Sequence, residues 1–253
     1  MMESGKMKKM CFFSDLHLFA RRSRANDHHD QLVEAAQRSD LVVLGGDIFD
    51  FKWSHLGSDK KTARAGRDWI ARLISDAPDK QFCYLLGNHD CNPAMIEQLE
   101  ELSQETPQLN WFRYWMKLGP WVFLHGDVAD RRMDQAGLER KRKRWSGNHR
   151  KGAVANLMYD ATIQMRLHSL VGAAVFTKQR TASRVLNYLQ DVHDDAETDI
   201  SDVFFGHTHN VMDGFVFKGI RFHNSGAPIK GLSFRIIEAS IPEGVCYESR
   251  SGD

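Results

Sequence analysis

Five short apolar runs in this chain each break off in a cluster of aspartate, asparagine or histidine. They are "MCFFSDLH" (10–17), "LVVLGGD" (41–47), "FCYLLGNHD" (82–90), "WVFLHGD" (121–127) and "VFFGHTH" (203–209). Continuous apolar runs of this length fit strands buried on both faces of a sheet. Helical spacing lies between them, over 28–38, 61–76 and "NPAMIEQLEEL" (92–102), where Asn92 can cap and Pro93 suits a first turn. Later, "GFVFKGIRFHNSG" (214–226) and "LSFRIIEA" (232–239) predict a hairpin and a closing strand. Strands alternating with helices predict α/β layering. The polar clusters then fall at the carboxyl ends of neighbouring strands, the edge where open α/β sheets bind ligands.

Residues 128–200 break the rhythm. They hold no strand pattern and open with "RRMDQAGLERKRKRWSGNHRK" (131–151), nine Lys or Arg against two acidic residues. An apolar, small-residue stretch follows over 153–176. The reading is one domain over 1–253 with a helical insertion at about 128–200 that caps the main sheet. A solvated helix face and an ordinary packed helix are the plain readings of these two stretches.

Composition narrows the class. Hydrophobic residues make up 42% and charged residues 26%, as in an ordinary globular chain. The net charge of +1 gives no global pull toward nucleic acid or membrane. Cys11, Cys83, Cys91 and Cys246 form no CxxC pair or framework, which fits a reduced, cytoplasmic setting. The lysines of "MMESGKMKKMCFF" precede apolar residues, but Ser14, Asp15 and His17 cut that run too short for a signal peptide. No stretch reaches the roughly 18 apolar residues of a membrane span.

The clusters together hold Asp15, His17, Asp47, Asn88, His89, Asp90, His125, Asp127, His207 and His209. Asp-x-His and His-x-His spacings put paired side chains on one side of an extended segment. Carboxylate with imidazole and no thiolate suits Mn, Fe, Zn or Co; manganese is taken as the first expectation. The donors outnumber the needs of one four-coordinate ion, so two divalent ions are expected, bridged by a carboxylate at about 3.5–4 Å. Their residual positive charge would attract phosphate and bring the pKa of water toward neutral.

In their order, "DLH", "GGD", "GNHD", "HGD" and "GHTH" resemble the calcineurin-like metallophosphoesterase superfamily over residues 11–226. That resemblance implies a four-layered α/β fold: a β-sandwich flanked by helices, with a dinuclear centre at the sheet edge and the insertion as a lid. It implies that Asp15, His17, Asp47 and His209 hold one ion. Asp47, Asn88, His125 and His207 would hold the other, with Asp47 bridging. His89 is then similar to the family's catalytic histidine, and Asp90 would orient it.

"SDLHL", "HGD" and the helical insertion further resemble bacterial UDP-2,3-diacylglucosamine hydrolases of lipid A synthesis. This implies a UDP-sugar lipid whose pyrophosphate is opened to release UMP. It also implies arginines of the insertion on the nucleotide diphosphate, here Arg131, Arg132, Arg140 and Arg144. Peripheral contact with the inner membrane face fits the same picture, and no specific nucleic acid partner is expected. The chain departs from the group at His89, in "GNHD" where the group carries "GNRD", and "FHNSGAP" is closer to general phosphoesterases. The alternatives are a phosphoesterase for another small phosphate ester, phosphodiester, phosphoprotein or nucleic acid, and a non-catalytic scaffold on the same fold. The filled ligand positions argue against a scaffold.

Overall fold

The computed structural model describes residues 7–147, 177–192, 200–242 and 247–249. Its frame is two facing sheets. The first has the order β10-β1-β2-β3-β4, with β1 (Met7–Phe13), β2 (Leu41–Leu44), β3 (Gln81–Leu85) and β4 (Leu109–Phe112) parallel. Antiparallel β10 (Ile237–Pro242) closes its edge against β1. The second has the order β11-β5-β6-β7-β9-β8. It comprises β5 (Trp115–Leu118), β6 (Trp121–Leu124), β7 (Asp202–Phe205), β8 (Met212–Phe217), β9 (Ile220–Asn224) and β11 (Tyr247–Ser249). In it β6, β7 and β9 run parallel.

Period-two alternation divides each strand between two cores. From the first sheet, Met10, Phe12, Leu41, Val43, Cys83 and Leu85 point inward and meet Met116, Phe123 and Phe204 of the second. Phe12 lies 6.2 Å from Phe123 and 5.9 Å from Phe204, ring centre to ring centre. The residues between them, Cys11, Phe13, Val42, Leu44, Phe82 and Tyr84, point outward. There they bury α1 (His29–Arg38), α2 (Asp59–Asp76) and α3 (Pro93–Glu105). Val122, Leu124, Val203 and Phe205 do the same for the second sheet, burying Ala182, Val185, Leu186 and Leu189 of a later helix, Lys178–Val192. The result is the expected layering of helix, sheet, sheet and helix.

The helix starts follow local chemistry. Ser58 caps α2 by accepting from Lys61 N, and Asn92 caps α3 with Pro93 in the first turn. The hairpin β8–β9 turns through Lys218 and Gly219, both at positive φ (49° and 79°), as a tight two-residue connection requires.

Some elements differ from the sequence reading. The five site-bearing strands end at Phe13, Leu44, Leu85, Leu124 and Phe205, short of their polar clusters. β4 and β5 carry no strong sequence signal, because each spans four residues and β4 is only partly buried. The closing strand begins at Ile237 rather than 232, since Ala227 N bonds Ser233 O and Arg235 N bonds Ser225 O, folding 225–235 back on itself.

The insertion divides in two. Its first helix, α4 (Gln135–Ser146), is capped by Asp134, which accepts from Gly137 N at 2.8 Å. Its second described helix, here α5 (Lys178–Val192), is a core layer and not part of a lid. The apolar stretch 153–176 lies outside the described residues. Among the described residues no helix is long and apolar enough to cross a membrane.

Phe12→Ala removes the ring that joins the two sheets. It should lower stability by about 3–5 kcal/mol, read by urea denaturation. A loss below 1 kcal/mol would show that the intersheet core closes around the gap.

Candidate metal centre

Past their strand ends the segments after β1, β2 and β7 turn sharply. Asp15, His17, Asp47, His207 and His209 all have left-handed backbones, with φ of 56°, 47°, 52°, 64° and 54°. Such a conformation costs a non-glycine residue on the order of 1–3 kcal/mol and persists only where surrounding contacts impose it. Here Asp15 N bonds Gly46 O and His17 N bonds Asp47 O, each at 3.0 Å, so the β1 and β2 loops hold each other. The side chains converge because of these turns. The expectation that each pair shares one side of an extended segment does not apply.

Three groups of donor atoms result, each within 4.8 Å: Asp15, His17 and His209; His17, Asp47 and His89; Asp47, His125 and His207. Shared His17 and Asp47 make them contiguous. Adjacent His207 and His209 are divided between two groups. His17 Nε2 and His209 Nε2 stand 3.1 Å apart, and Asp15 Oδ1 is 3.3 Å from His209 Nε2.

Both carboxylates are aimed by backbone donors. Asp15 accepts the His207 N–H on both oxygens (3.0 and 2.9 Å) and the Ser14 hydroxyl at 2.6 Å. Asp47 Oδ1 accepts the His89 N–H at 2.7 Å. Two motif glycines make room for this. A Cβ on Gly206 would stand 2.1 Å from Asp15 Oδ2, and one on Gly87 would stand 2.2 Å from Asp47 Oδ1.

The calcineurin-like phosphoesterase profile matches residues 8–211, spanning all five clusters. The chain belongs to the calcineurin-like phosphoesterase family. No curated protein sequence matches the chain. A crystal structure aligns over 96% of this chain and 99% of its own, at 10% identity and a TM-score of 0.46, too remote a likeness to bear on fold or function. The family comprises metal-dependent hydrolases of phosphoric esters that use a dinuclear divalent centre.

The donors of this phosphoesterase fit such a centre. Asn88 Oδ1 and His125 Nε2 are buried and have no hydrogen-bond partner among the described residues. His125 Nδ1 lies 3.0 Å from Gly45 O, so in the neutral ring Nδ1 carries the proton and Nε2 keeps its lone pair. That lone pair faces Asp47 Oδ2 at 3.2 Å. Two lone pairs this close need a cation between them. Without a metal, a proton serves: burial pushes the His125 pKa down, but the Asp47 and Asp15 charges outweigh it and raise the pKa to about 10. Burial likewise pushes Asp47 up, yet His125 and His89 hold it well below the usual carboxylate range. Burial brings His17 down to about 4, leaving it neutral and fit to donate a lone pair.

The carboxylate on His89 is Asp50. His89 Nδ1 lies 3.0 Å from Asp50 Oδ1. Fully buried Asp50 also pairs with Arg22 Nη2 (2.7 Å), stands 3.3 Å from His17 Nδ1 and accepts from Trp53 N at 3.0 Å. Asp90, expected to orient His89, instead accepts from Tyr84 Oη (2.6 Å), Gly87 N (2.6 Å) and Ile48 N (3.0 Å). It ties the β3 turn to the β2 loop. The sequence spacing of Asp50, three residues after Asp47, suited a helix cap equally well.

Arg131, Arg132, Arg140 and Arg144 are exposed, and none enters the donor groups. Buried Arg142 instead forks onto Asp127 at 3.0 and 2.9 Å and reaches the Arg113 carbonyl. Lys141 Nζ bonds Asp130 Oδ2 (2.5 Å) and Asp127 O (2.7 Å), and Asp130 Oδ1 meets His207 Nε2 at 2.7 Å. Asp130 carried no sequence signal. It lies outside the motif, and only folding brings it to His207.

Two outcomes follow. Loading metal at pH 7.5 should release protons, since the raised His125 pKa means a proton must leave. Apparent affinity should therefore rise with pH until about 10. Calorimetry in buffers of different ionisation enthalpy measures this, and zero proton release would contradict it. Asp130→Ala should weaken metal binding by about 10–100-fold, with Asp130→Glu recovering part, because a carboxylate on a ligand histidine fixes its orientation. Unchanged affinity would show that His207 is held without Asp130.

Proposed function

We propose that the chain is a manganese-dependent phosphohydrolase that opens the pyrophosphate of an acylated UDP-sugar, of the UDP-2,3-diacylglucosamine kind, and releases UMP. Asp15, His17, Asp47 and His209 hold one ion, and Asp47, Asn88, His125 and His207 hold the other. The observation that carries the chemistry is the position of Asp47. It shares one donor group with His125 and His207 and another with His17 and His89.

When bound, the ions supply positive charge that draws phosphate oxygens and makes water more acidic. The chain's own residues do the rest. Asp50 accepts from His89 Nδ1 and fixes the ring, leaving Nε2 to give its proton to the leaving oxygen. Burial pushes the His89 pKa down, but the charges of Asp50 and Asp47 outweigh it and raise it, which favours the protonated ring. Asp90 serves by holding the turn that carries Asn88 and His89.

The substrate class rests on the order of the motifs and on the helical insertion before "GHTH". α4 brings Trp145 within 5.0 Å of His89, ring centre to ring centre. The exposed arginines Arg131, Arg132, Arg140 and Arg144 suit phosphate groups or an anionic lipid surface on the cytoplasmic side. A second reading, a compact phosphodiester, is favoured by the small polar cleft beside His89, lined by Lys52, Asp59, Asn88 and Asn92.

The test is a manganese assay on diacylated UDP-glucosamine, unacylated UDP-glucosamine and bis-p-nitrophenyl phosphate. The lipid reading expects UMP release that depends on the acyl chains. Equal rates with and without them would favour the second reading. His89→Ala should keep the metals and lose about 10²–10⁴-fold in activity. Loss of metal in that variant would move His89 from proton donor to ligand.

A further inference from the structure

A histidine that gives up a proton must be held in plane, because a misplacement of about 1 Å at the reacting atoms can cost about 10²-fold in rate. The His89 backbone is fixed on both sides: its N–H donates to Asp47 Oδ1 at 2.7 Å, and its carbonyl accepts from Phe51 N at 3.4 Å. The freedom that remains is in the side chain. Asp50 holds the ring at one atom, Nδ1, at 3.0 Å. The last torsion of a histidine has a broad minimum, so one hydrogen bond leaves the ring room to rock. Two further rings meet it, His17 at 4.8 Å and 87° and Trp145 at 5.0 Å and 61°. Asp50 and His17 come from the loops after β2 and β1, whereas Trp145 comes from α4. The indole is itself held, with the Lys52 ammonium 4.2 Å from its centre. The cleft among Lys52, Asn88, His89 and Trp145 has space for about one water, so these side chains lie close.

We propose that Trp145 is a positioning residue for His89, its indole fixing the plane of the imidazole so that the proton meets the leaving oxygen. This rests on the reading of His89 as proton donor and extends it by placing part of the catalytic geometry in the insertion. In the reaction, water oxygen bonds to phosphorus and gives up a proton. The bond from phosphorus to the leaving oxygen breaks, its electron pair stays on that oxygen, and the oxygen takes the proton of His89. A leaving oxygen that departs readily as an anion needs little of this help, and a basic one needs most of it. Loosening the ring should therefore slow poor leaving groups selectively. A role in packing alone would slow every substrate alike.

The test compares two diesters on the full chain at saturating manganese. The p-nitrophenyl and phenyl esters of thymidine 5′-monophosphate share a nucleotide and differ in how readily the phenol departs, the second being the poor leaving group. Trp145→Ala should lower kcat on the phenyl ester by about 10–100-fold and on the p-nitrophenyl ester by less than about 3-fold. Trp145→Phe keeps an aromatic ring against His89 and should recover part of the loss on the phenyl ester. His89→Ala should show the same selectivity with a larger loss. The losses should not add in the double variant, since Trp145 acts through His89. Equal losses on the two esters in Trp145→Ala, or losses that add in the double variant, overturn the proposal. Trp145→Leu decides by the same measure if the alanine variant does not fold. The proton-donor reading fails separately, if His89→Ala slows the two esters equally.

Discussion

Two buried carboxylates, Asp15 and Asp47, lie among imidazoles at hydrogen-bond distance, and the arrangement needs protons or cations shared between them. The protein does not relieve this by hydrogen bonding every atom. It leaves Asn88 Oδ1 and His125 Nε2 without partners, and it holds His17 neutral by burial. The surrounding structure takes up the cost. Five residues of the donor groups sit in left-handed backbone, and three of them, Asp15, His17 and Asp47, lie in the β1 and β2 loops, which bond each other. Motif glycines admit each carboxylate against the backbone, where any side chain would displace it.

The segment between the two motif halves belongs to that architecture. Arg142 ties α4 to the turn carrying His125 through Asp127, and Lys141 ties it to His207 through Asp130. Arg184 of α5 bonds the carbonyls of Ala129 and Asp130 from the other side. Of the nine basic residues of 131–151, Lys141 and Arg142 are thus turned inward onto the protein's own acids. The end of α4 still reaches the chemistry, through Trp145 beside His89. One helix therefore reaches both His207, through Lys141 and Asp130, and His89, through Trp145.

The strands, the layering and the gathering of donors were legible because each follows from local pattern. An apolar run that stops on Asp or His marks both a buried strand and what its end presents. Strand limits were overestimated, because a left-handed turn at Asp15 or His207 leaves no trace in hydrophobicity. Asp90 was read as the partner of His89 because it is adjacent in sequence, yet adjacent residues after a strand turn to different neighbours. Asp50, in the loop after β2, reaches His89 through space. Asp130 was invisible for the same reason, and the inward turn of Lys141 and Arg142 was too, because charge alone does not say which way a helix faces.

The sequence by itself determined the donor types, their number and their order along the chain, and hence a polar edge able to hold divalent cations. Those are properties of composition and short-range periodicity. Only the tertiary structure decided which carboxylate serves which imidazole, and that Lys52 meets Trp145. These pairings depend on loops from different strands packing at one sheet edge, and their distances are set by the packing of two sheets through Phe12, Phe123 and Phe204 rather than by separation along the chain.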